Sequence, residues 1–305
     1  EFYNAELRPT KIDRPSDVTG LVDVGDLFSL LNQSDAVAVM ESVQRISNSK
    51  MGRVNTNISR DAVIKDLIRC GYVKSADLAD RFGNPATLDP AADPDIVGAA
   101  GIFSVDEFNS DAEFRKTASV MKLVVNGFAG AGTVTMGGFD YHTGERGTGE
   151  LRDLRAGRCI GACLEYAARM NQPLMIYVYS DGSVASNGRI DDSEFGRGKG
   201  EWTGDNSSTG ASFMLVYSPA GRPALLGGTA DEQARHQQIG FMRPDASVET
   251  GSSAAANNVN LLVQTVLLNY LALHGEQGRL AEVAPFHGLG NAASLDRLTA
   301  FVPIV

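Results

Sequence analysis

The chain has 305 residues, of which 43% are hydrophobic and 21% are charged, and its formal net charge is −10 at pH 7. These values are typical of a globular protein with a sizeable core and exclude wholesale disorder. Because its 27 Lys and Arg residues are scattered along an acidic chain, we expect no nucleic-acid partner. The longest apolar run, 259–273, is interrupted by polar residues, so we expect no membrane span.

The N-terminal region, 1–100, is predicted to be mainly helical. Residues 1–20 carry two prolines and several charges, which predicts an extended lead-in lying on another surface. A connector with three prolines, 83–95, leads to a domain boundary near residue 100. Between the lead-in and the connector, apolar residues recur at helical spacing over three stretches: 24–47, 55–71 and 75–82.

The second domain, 101–305, is predicted to be α/β. Ser110-Asp111-Ala112-Glu113 matches a capping box before a strongly periodic helix. A strand over 133–136, a helix over 151–170 and a continuous apolar strand, Leu174–Tyr179, come next. Because helices and strands alternate along the chain, we predict a largely parallel sheet with flanking helices, joined by right-handed crossovers.

The last third of the chain begins with a stretch rich in Gly, Ser and Asp, 182–210, which is predicted to be a long loop. Loops of this length are usually functional or mobile. A third strand, 212–217, is predicted to turn back into 224–226 as a hairpin, and a last helix is predicted over 254–273.

Asp140 and His142 are the residues best placed for chemistry. They follow the Gly137-Gly138 pair in a predicted loop at the carboxyl end of a strand, where open α/β sheets keep their sites. An Asp and a His two residues apart could bind a metal or handle a proton, or could be a solvated Asp beside a hydrogen-bonded His. Asp181, at the end of the next predicted strand, could face them.

The three cysteines are Cys70, Cys159 and Cys163. Cys159 and Cys163 stand at i and i+4 on a predicted helix, which is not a Cys-x-x-Cys redox pair. We therefore predict buried structural thiols, and this cysteine content does not decide the compartment.

Two short motifs resemble those of a known family. The stretch 137–142, Gly-Gly-Phe-Asp-Tyr-His, resembles Gly-Gly-Phe-Asp-Thr-His, and 193–197, Ser-Glu-Phe-Gly-Arg, resembles Thr-Glu-Phe-Gly-Arg. Both belong to a large bacterial family, known mainly as a domain of unknown function, in the alkaline phosphatase and sulfatase superfamily. The resemblance covers 105–230 and implies an alkaline phosphatase-like scaffold. Many members carry twin-arginine export signals, which implies a periplasmic or extracellular location.

The resemblance also implies a metal site, from which this chain departs. The stretch 181–192 looks like an insertion before the second motif, and Gly204-Asp205-Asn206 has Asn where the family has His. The upstream strand with the first metal ligand and the nucleophile is not found in 1–100. We therefore expect a degenerate or incomplete site for zinc, manganese or calcium. Its remaining candidate ligands are Asp140, His142, Glu194, Asp181 and Asp205.

Two hypotheses for the function follow. In the first, the protein has a structural, binding or assembly role and meets a protein partner or a second copy through its N-terminal region and the 182–210 loop. The alternative is a metal-dependent hydrolase of phosphate or sulfate esters. In that enzyme Asp140, His142 and an acidic partner would hold the metal while Arg197 pairs with the ester. Fold similarity alone cannot choose between them.

Overall fold

The structure, a computed structural model, divides into two compact units, Pro9–Val134 and Thr135–Val305. Within its described ranges, every helix is too short or too polar to cross a lipid bilayer. The residues that the structure describes are 10–19, 30–55, 57–82, 87–139, 146–179, 183–194, 199–206, 212–237, 255 and 258–305.

The described part of the first unit is helical, as the sequence predicts for its N-terminal portion. A short 3-10 turn, Pro90–Ala92, connects the early helices to the later ones. The helices are α1 (Pro15–Thr19), α2 (Gln33–Met51), α3 (Asp61–Phe82), α4 (Val105–Ser110) and α5 (Ala112–Val125).

Side-chain caps fix where these helices begin. The Asn32 side chain accepts a hydrogen bond from the Asp35 N–H and so starts α2. The capping box lies at Ser104 and Glu107, at the start of α4, and not at Ser110 as the sequence pattern predicts. Asp111 starts α5 by accepting from the Glu113 N–H. The helix prediction over α5 is confirmed, whereas its capping residue is corrected.

The core of the first unit contains Val18, Leu88 and Leu123, which are all nearly inaccessible to solvent. Helix α1 packs on α5, and Val18 lies fully inside this cluster. The prediction of an extended lead-in is therefore wrong for Pro15–Thr19, because a single well-placed valine docks this turn of helix on the chain's own core. Residues 1–9 and 20 lie outside the described ranges.

The second unit contains five helices and four strands among its described residues. The helices are α6 (Arg146–Arg169), α7 (Ala230–Gln237), α8 (Val259–Leu273), α9 (Leu280–Val283) and α10 (Ala292–Arg297). The strands are β1 (Leu174–Tyr179), β2 (Ser183–Asp191), β3 (Lys199–Asn206) and β4 (Ser212–Tyr217).

The prediction of a largely parallel sheet is wrong. The described strands form two antiparallel pairs, β1 with β4 and β2 with β3. In the first pair Leu174 lies opposite Tyr217 and Tyr179 lies opposite Ser212. Parallel neighbours need a long crossover, usually a helix, and the chain between β1 and β4 instead contains the hairpin β2–β3. The connecting chain thus sets the strand direction. The described strands do not form the parallel sheet of an alkaline phosphatase-like scaffold.

Three further sequence predictions are corrected at this level. The predicted loop over 182–210 contains the paired strands β2 and β3, with register shifts after Val184 and Ser186. The predicted strand at 133–136 has no regular structure. Leu225 does not fold back on β4; it forms an antiparallel bridge with Phe301 near the end of the chain.

The core of the second unit is built around α8. This helix is apolar on most sides, which is the pattern of a core helix, and its prediction is confirmed with a start at Val259. Its end packs against the short helices that follow it. The buried cluster consists of Leu268, Leu271, Leu280, Ala284, Leu289 and Leu298.

Candidate functional site

The first half of the family-like motif lies against α6. The guanidinium of Arg152 donates a hydrogen bond from Nη1 to the Gly137 carbonyl at 3.2 Å. Gly138 has a φ of +86°, and a Cβ placed there would lie 1.0 Å from Nη1 of Arg152. The left-handed backbone favours glycine at this position, and any side chain there would have to displace the flexible end of Arg152. Gly138 therefore has a structural reason in the described residues, independent of any metal.

Replacing Gly138 with alanine is expected to displace Arg152 and to cost about 1–2 kcal/mol of stability, because a side chain in the left-handed region is strained. The matched control is Gly137→Ala, since a Cβ on Gly137 meets no atom within 4 Å. Thermal unfolding of the two variants measures the difference. Equal melting temperatures would contradict the left-handed backbone conformation of Gly138 as the source of this cost.

Of the predicted site residues, the structure describes Glu194 and the backbone of Asp205. Asp140, His142 and Asp181 lie outside the described residues, as does Arg197. Glu194 is described and exposed, at a turn after β2. A further candidate ligand, Asp205, belongs to β3, where its backbone pairs with that of Val184, and its side chain is outside the description. The metal site stays a prediction.

Among the described residues no group of three or more His, Cys, Asp or Glu side chains could hold a metal ion. His236 has a structural role there, because its Nδ1 lies 3.0 Å from the carbonyl oxygens of both Asp296 and Thr299. Two carbonyls can only accept, so Nδ1 carries the proton and donates to them. The His274 ring packs against Tyr270, with ring centroids 4.9 Å apart.

Cys159 and Cys163 of α6 are not joined in a disulfide; Cys159 is buried, as predicted, whereas Cys163 is partly buried. Burial, and secondarily the adjacent Cys159, raises the pKa of Cys163 to about 12.

At pH 8 roughly one Cys163 in 10,000 is then a thiolate, so we expect alkylation of Cys163 to be far slower in the folded protein than in urea. Mass spectrometry of iodoacetamide-treated protein measures this, and rapid labelling without urea would contradict it. The Cys70 side chain lies outside the described residues.

The α2–α3 hairpin of the first unit shows a different kind of site. Polar groups lie near the connection between the two helices: Lys65 pairs with Asp61 at 2.6 Å, and their side chains are only 17% and 23% exposed. The Asn48 Oδ1 atom is buried and, within the described part of the chain, has no hydrogen-bond partner. Three hydrogen bonds show that the helices run antiparallel: Gln33 Nε2 to the Asp80 carbonyl, Ser47 Oγ to the Tyr72 hydroxyl and Lys65 Nζ to the Val54 carbonyl.

Apolar side chains of the same hairpin face solvent. Five of them recur at i, i+4 and i+7 on α2 and at i and i+4 on α3, which aligns each set along its helix, whereas Val63 and Val73 of α3 are exposed outside this set. At about 100° per residue, both sets lie to the same side of the contact between the helices. We call this surface the hairpin face. Its members, with their exposed fractions, are Val39 (40%), Val43 (45%), Ile46 (57%), Ile64 (36%) and Ile68 (42%).

The sequence predicts the helices of the hairpin but not its exposed face. A signal was available on α2, where Val37 and Met40 are partly buried and Val39 and Val43 are exposed. These four residues span an apolar arc wider than one neighbouring helix can cover. Such a width indicates a second contact, and periodicity alone does not say which part of the arc the chain itself covers.

Comparison with protein-family models, with curated proteins and with solved structures gives no match to this chain, so its resemblance to the bacterial family stays a prediction.

Proposed function

We propose that this protein has a binding or assembly role and docks on another protein surface through the hairpin face. The observation that carries the proposal is the row of exposed aliphatic side chains along the α2–α3 hairpin. An ion pair, Asp61–Lys65, is mostly buried in the hairpin, while Val43 and Ile46 on its surface are half exposed. A helix pair without a further partner keeps its aliphatic side chains on the covered sides of the helices.

The energetics favour a partner for this face. Fully burying one Val or Ile side chain contributes about 1.5–3 kcal/mol, and each residue of the hairpin face has 36–57% of its surface left to bury. Monomeric proteins rarely leave contiguous apolar patches of this kind open, and larger patches mark interaction sites. Five aligned aliphatic side chains without an intervening aromatic suit a helix or a flat apolar surface, and not a small-molecule pocket.

The hydrolase alternative depends on Asp140, His142 and Asp181, which lie outside the described residues, and no described contact favours it. The antiparallel strand pairs also weaken the hydrolase alternative. Its predicted metal site required the carboxyl ends of parallel strands to meet at one edge of a sheet. Our proposal keeps the expectation from the motif resemblance that the protein is exported, so its partner would be periplasmic or extracellular.

Size-exclusion chromatography of a native extract tests the proposed binding role. An antibody detects the protein in the eluted fractions. We expect the unmodified protein to elute in a complex and the variant Val43→Glu with Ile46→Glu to elute as a monomer. The control is Ala38→Glu, an exposed position about 100° around α2 from Val39. Circular dichroism checks that both variants stay helical. A monomeric unmodified protein, or an unchanged complex in the double variant, would contradict the proposal.

A further inference from the structure

We propose that the partner of the hairpin face is a second copy of this chain, whose α2 pairs antiparallel with α2 of the first copy about a two-fold axis at Val43. This inference rests on the proposed binding role and names its partner. Closed two-fold dimers are the commonest protein assemblies, and they require a patch that is complementary to itself. The spacing and the charges along α2 meet that requirement.

The spacing of the stripe supports the two-fold arrangement. Val39, Val43 and Ile46 stand nearly symmetrically about Val43, at −4 and +3 residues. When two such helices run antiparallel, Val43 meets Val43 of the second copy and Val39 meets Ile46. The spacing of four and three residues is that of a coiled-coil seam, which lets two helices approach to about 8–10 Å.

The charges of α2 select the antiparallel direction. Asp35 lies in the first turn and Lys50 in the last, and both side chains are exposed. The register centred on Val43 brings Asp35 beside Lys50 of the second copy, and the two-fold axis repeats this pair at the other end. A parallel pairing would instead place Asp35 against Asp35 and Lys50 against Lys50, which repels.

Net charge also permits the contact in this part of the chain. The whole protein carries −10, so most of its surface repels a second copy. The segment 33–82 has eight Lys and Arg against six Asp and Glu, so it is slightly positive. Two hairpins can therefore meet without the repulsion that acts between the remaining parts of the two copies.

The same register gives Ile64 a partner. Lys65 of α3 contacts the Val54 carbonyl, so Ile64 lies near the level of Val54, beyond the carboxyl end of α2. In the antiparallel dimer that level meets the segment just before α2 of the second copy, where Leu30 is 79% exposed. In the proposed dimer, Leu30 of the second copy covers Ile64.

Sedimentation velocity of the purified full chain over a concentration series is the first test. We expect a monomer–dimer equilibrium that Val43→Glu weakens ~10-fold or more, because two carboxylates would meet at the axis. Ala38→Glu should leave the dimer unchanged. A monomer at every concentration would overturn the second-copy assignment, and the proposed binding role would survive if the native extract still contained the complex.

Disulfide trapping tests the axis itself. Under mild oxidation Val43→Cys should form a covalent dimer, because a residue on a two-fold axis meets its own copy within disulfide reach. The control is Arg45→Cys, which lies about 200° around the helix from Val43. Equal yields from the two variants would overturn the register.

Charge exchange separates the dimer from an effect within one helix. An acid in the first turn and a base in the last turn also favour the helix by itself. Asp35→Lys and Lys50→Asp should each weaken the dimer ~3-fold, since each puts like charges together. The double exchange should restore dimerisation in the proposed pairing, whereas a purely helical effect predicts that the double variant is the weakest of the three.

Discussion

Replacing Lys122 with methionine is expected to lower the free energy of unfolding by about 3–5 kcal/mol, the usual loss when one partner of a buried ion pair is removed. Lys122 of α5 contacts the Asp93 carboxylate at 2.6 Å, and the two side chains are only 9% and 12% exposed. Methionine keeps most of the apolar stem and removes the ammonium group. The carboxylate then stays buried without that cation, which is the source of the loss.

Two comparisons separate this explanation from a general effect on α5. Lys116→Met breaks an ion pair with Glu113 at 2.9 Å that is about twice as exposed, and we expect it to cost ~1 kcal/mol or less. Adding Asp93→Asn to Lys122→Met should recover part of the loss, because the amide is neutral and its oxygen still accepts from the Asp95 N–H. Urea denaturation followed by circular dichroism measures all three variants. Equal losses for Lys116 and Lys122 would contradict the role of burial.

Asn269→Ala is expected to be comparably destabilising, by about 3–5 kcal/mol, because the side chain satisfies several buried backbone groups at once. Its amide donates to the Thr265 carbonyl at 2.9 Å and to the Leu298 carbonyl at 2.8 Å. Its oxygen accepts from the Ala300 N–H at 2.9 Å. The residue is 1% exposed, so water cannot replace these bonds without opening the core.

Asn260→Ala is the matched control for Asn269, because Asn260 lies on the same helix with an exposed side chain. We expect it to change the free energy of unfolding by less than about 0.5 kcal/mol. Since Asn269 joins α8 to the chain after α10, its loss should also speed amide hydrogen exchange near Ala300. A small effect of Asn269→Ala on both measurements would show that α8 does not organise the second unit.

The sequence predicts elements well where a helix has one apolar side or a strand is rich in branched and aromatic residues. Helix α5 and strands β1 and β4 meet these conditions, and all three are confirmed. Strands β2 and β3 were missed because their polar and Gly-containing stretches carry little strand signal. Without them, the antiparallel return of β4 to β1 could not be predicted, since the connecting chain decides strand direction.

For the candidate sites too, the sequence shows the local residue pattern but does not show the tertiary contacts. The motif around Gly137 and Gly138 is visible in the sequence, but the need for glycine at Gly138 comes from its left-handed backbone conformation, beside Arg152 of α6. The apolar positions of the hairpin face are likewise visible as helical spacing. Which of them α3 covers depends on how the two helices pair, and one sequence does not contain that information directly.

Photo-crosslinking through the hairpin face tests the proposed role most directly. The full chain, expressed in its source cells, carries benzoyl-phenylalanine at Val43 in one variant and at Arg45, on the far side of α2, in the other. We expect one discrete protein adduct from position 43 and little from position 45, and mass spectrometry of the linked peptide shows whether the partner is a second copy. No adduct from position 43, or the same adducts from both positions, would contradict docking through this face.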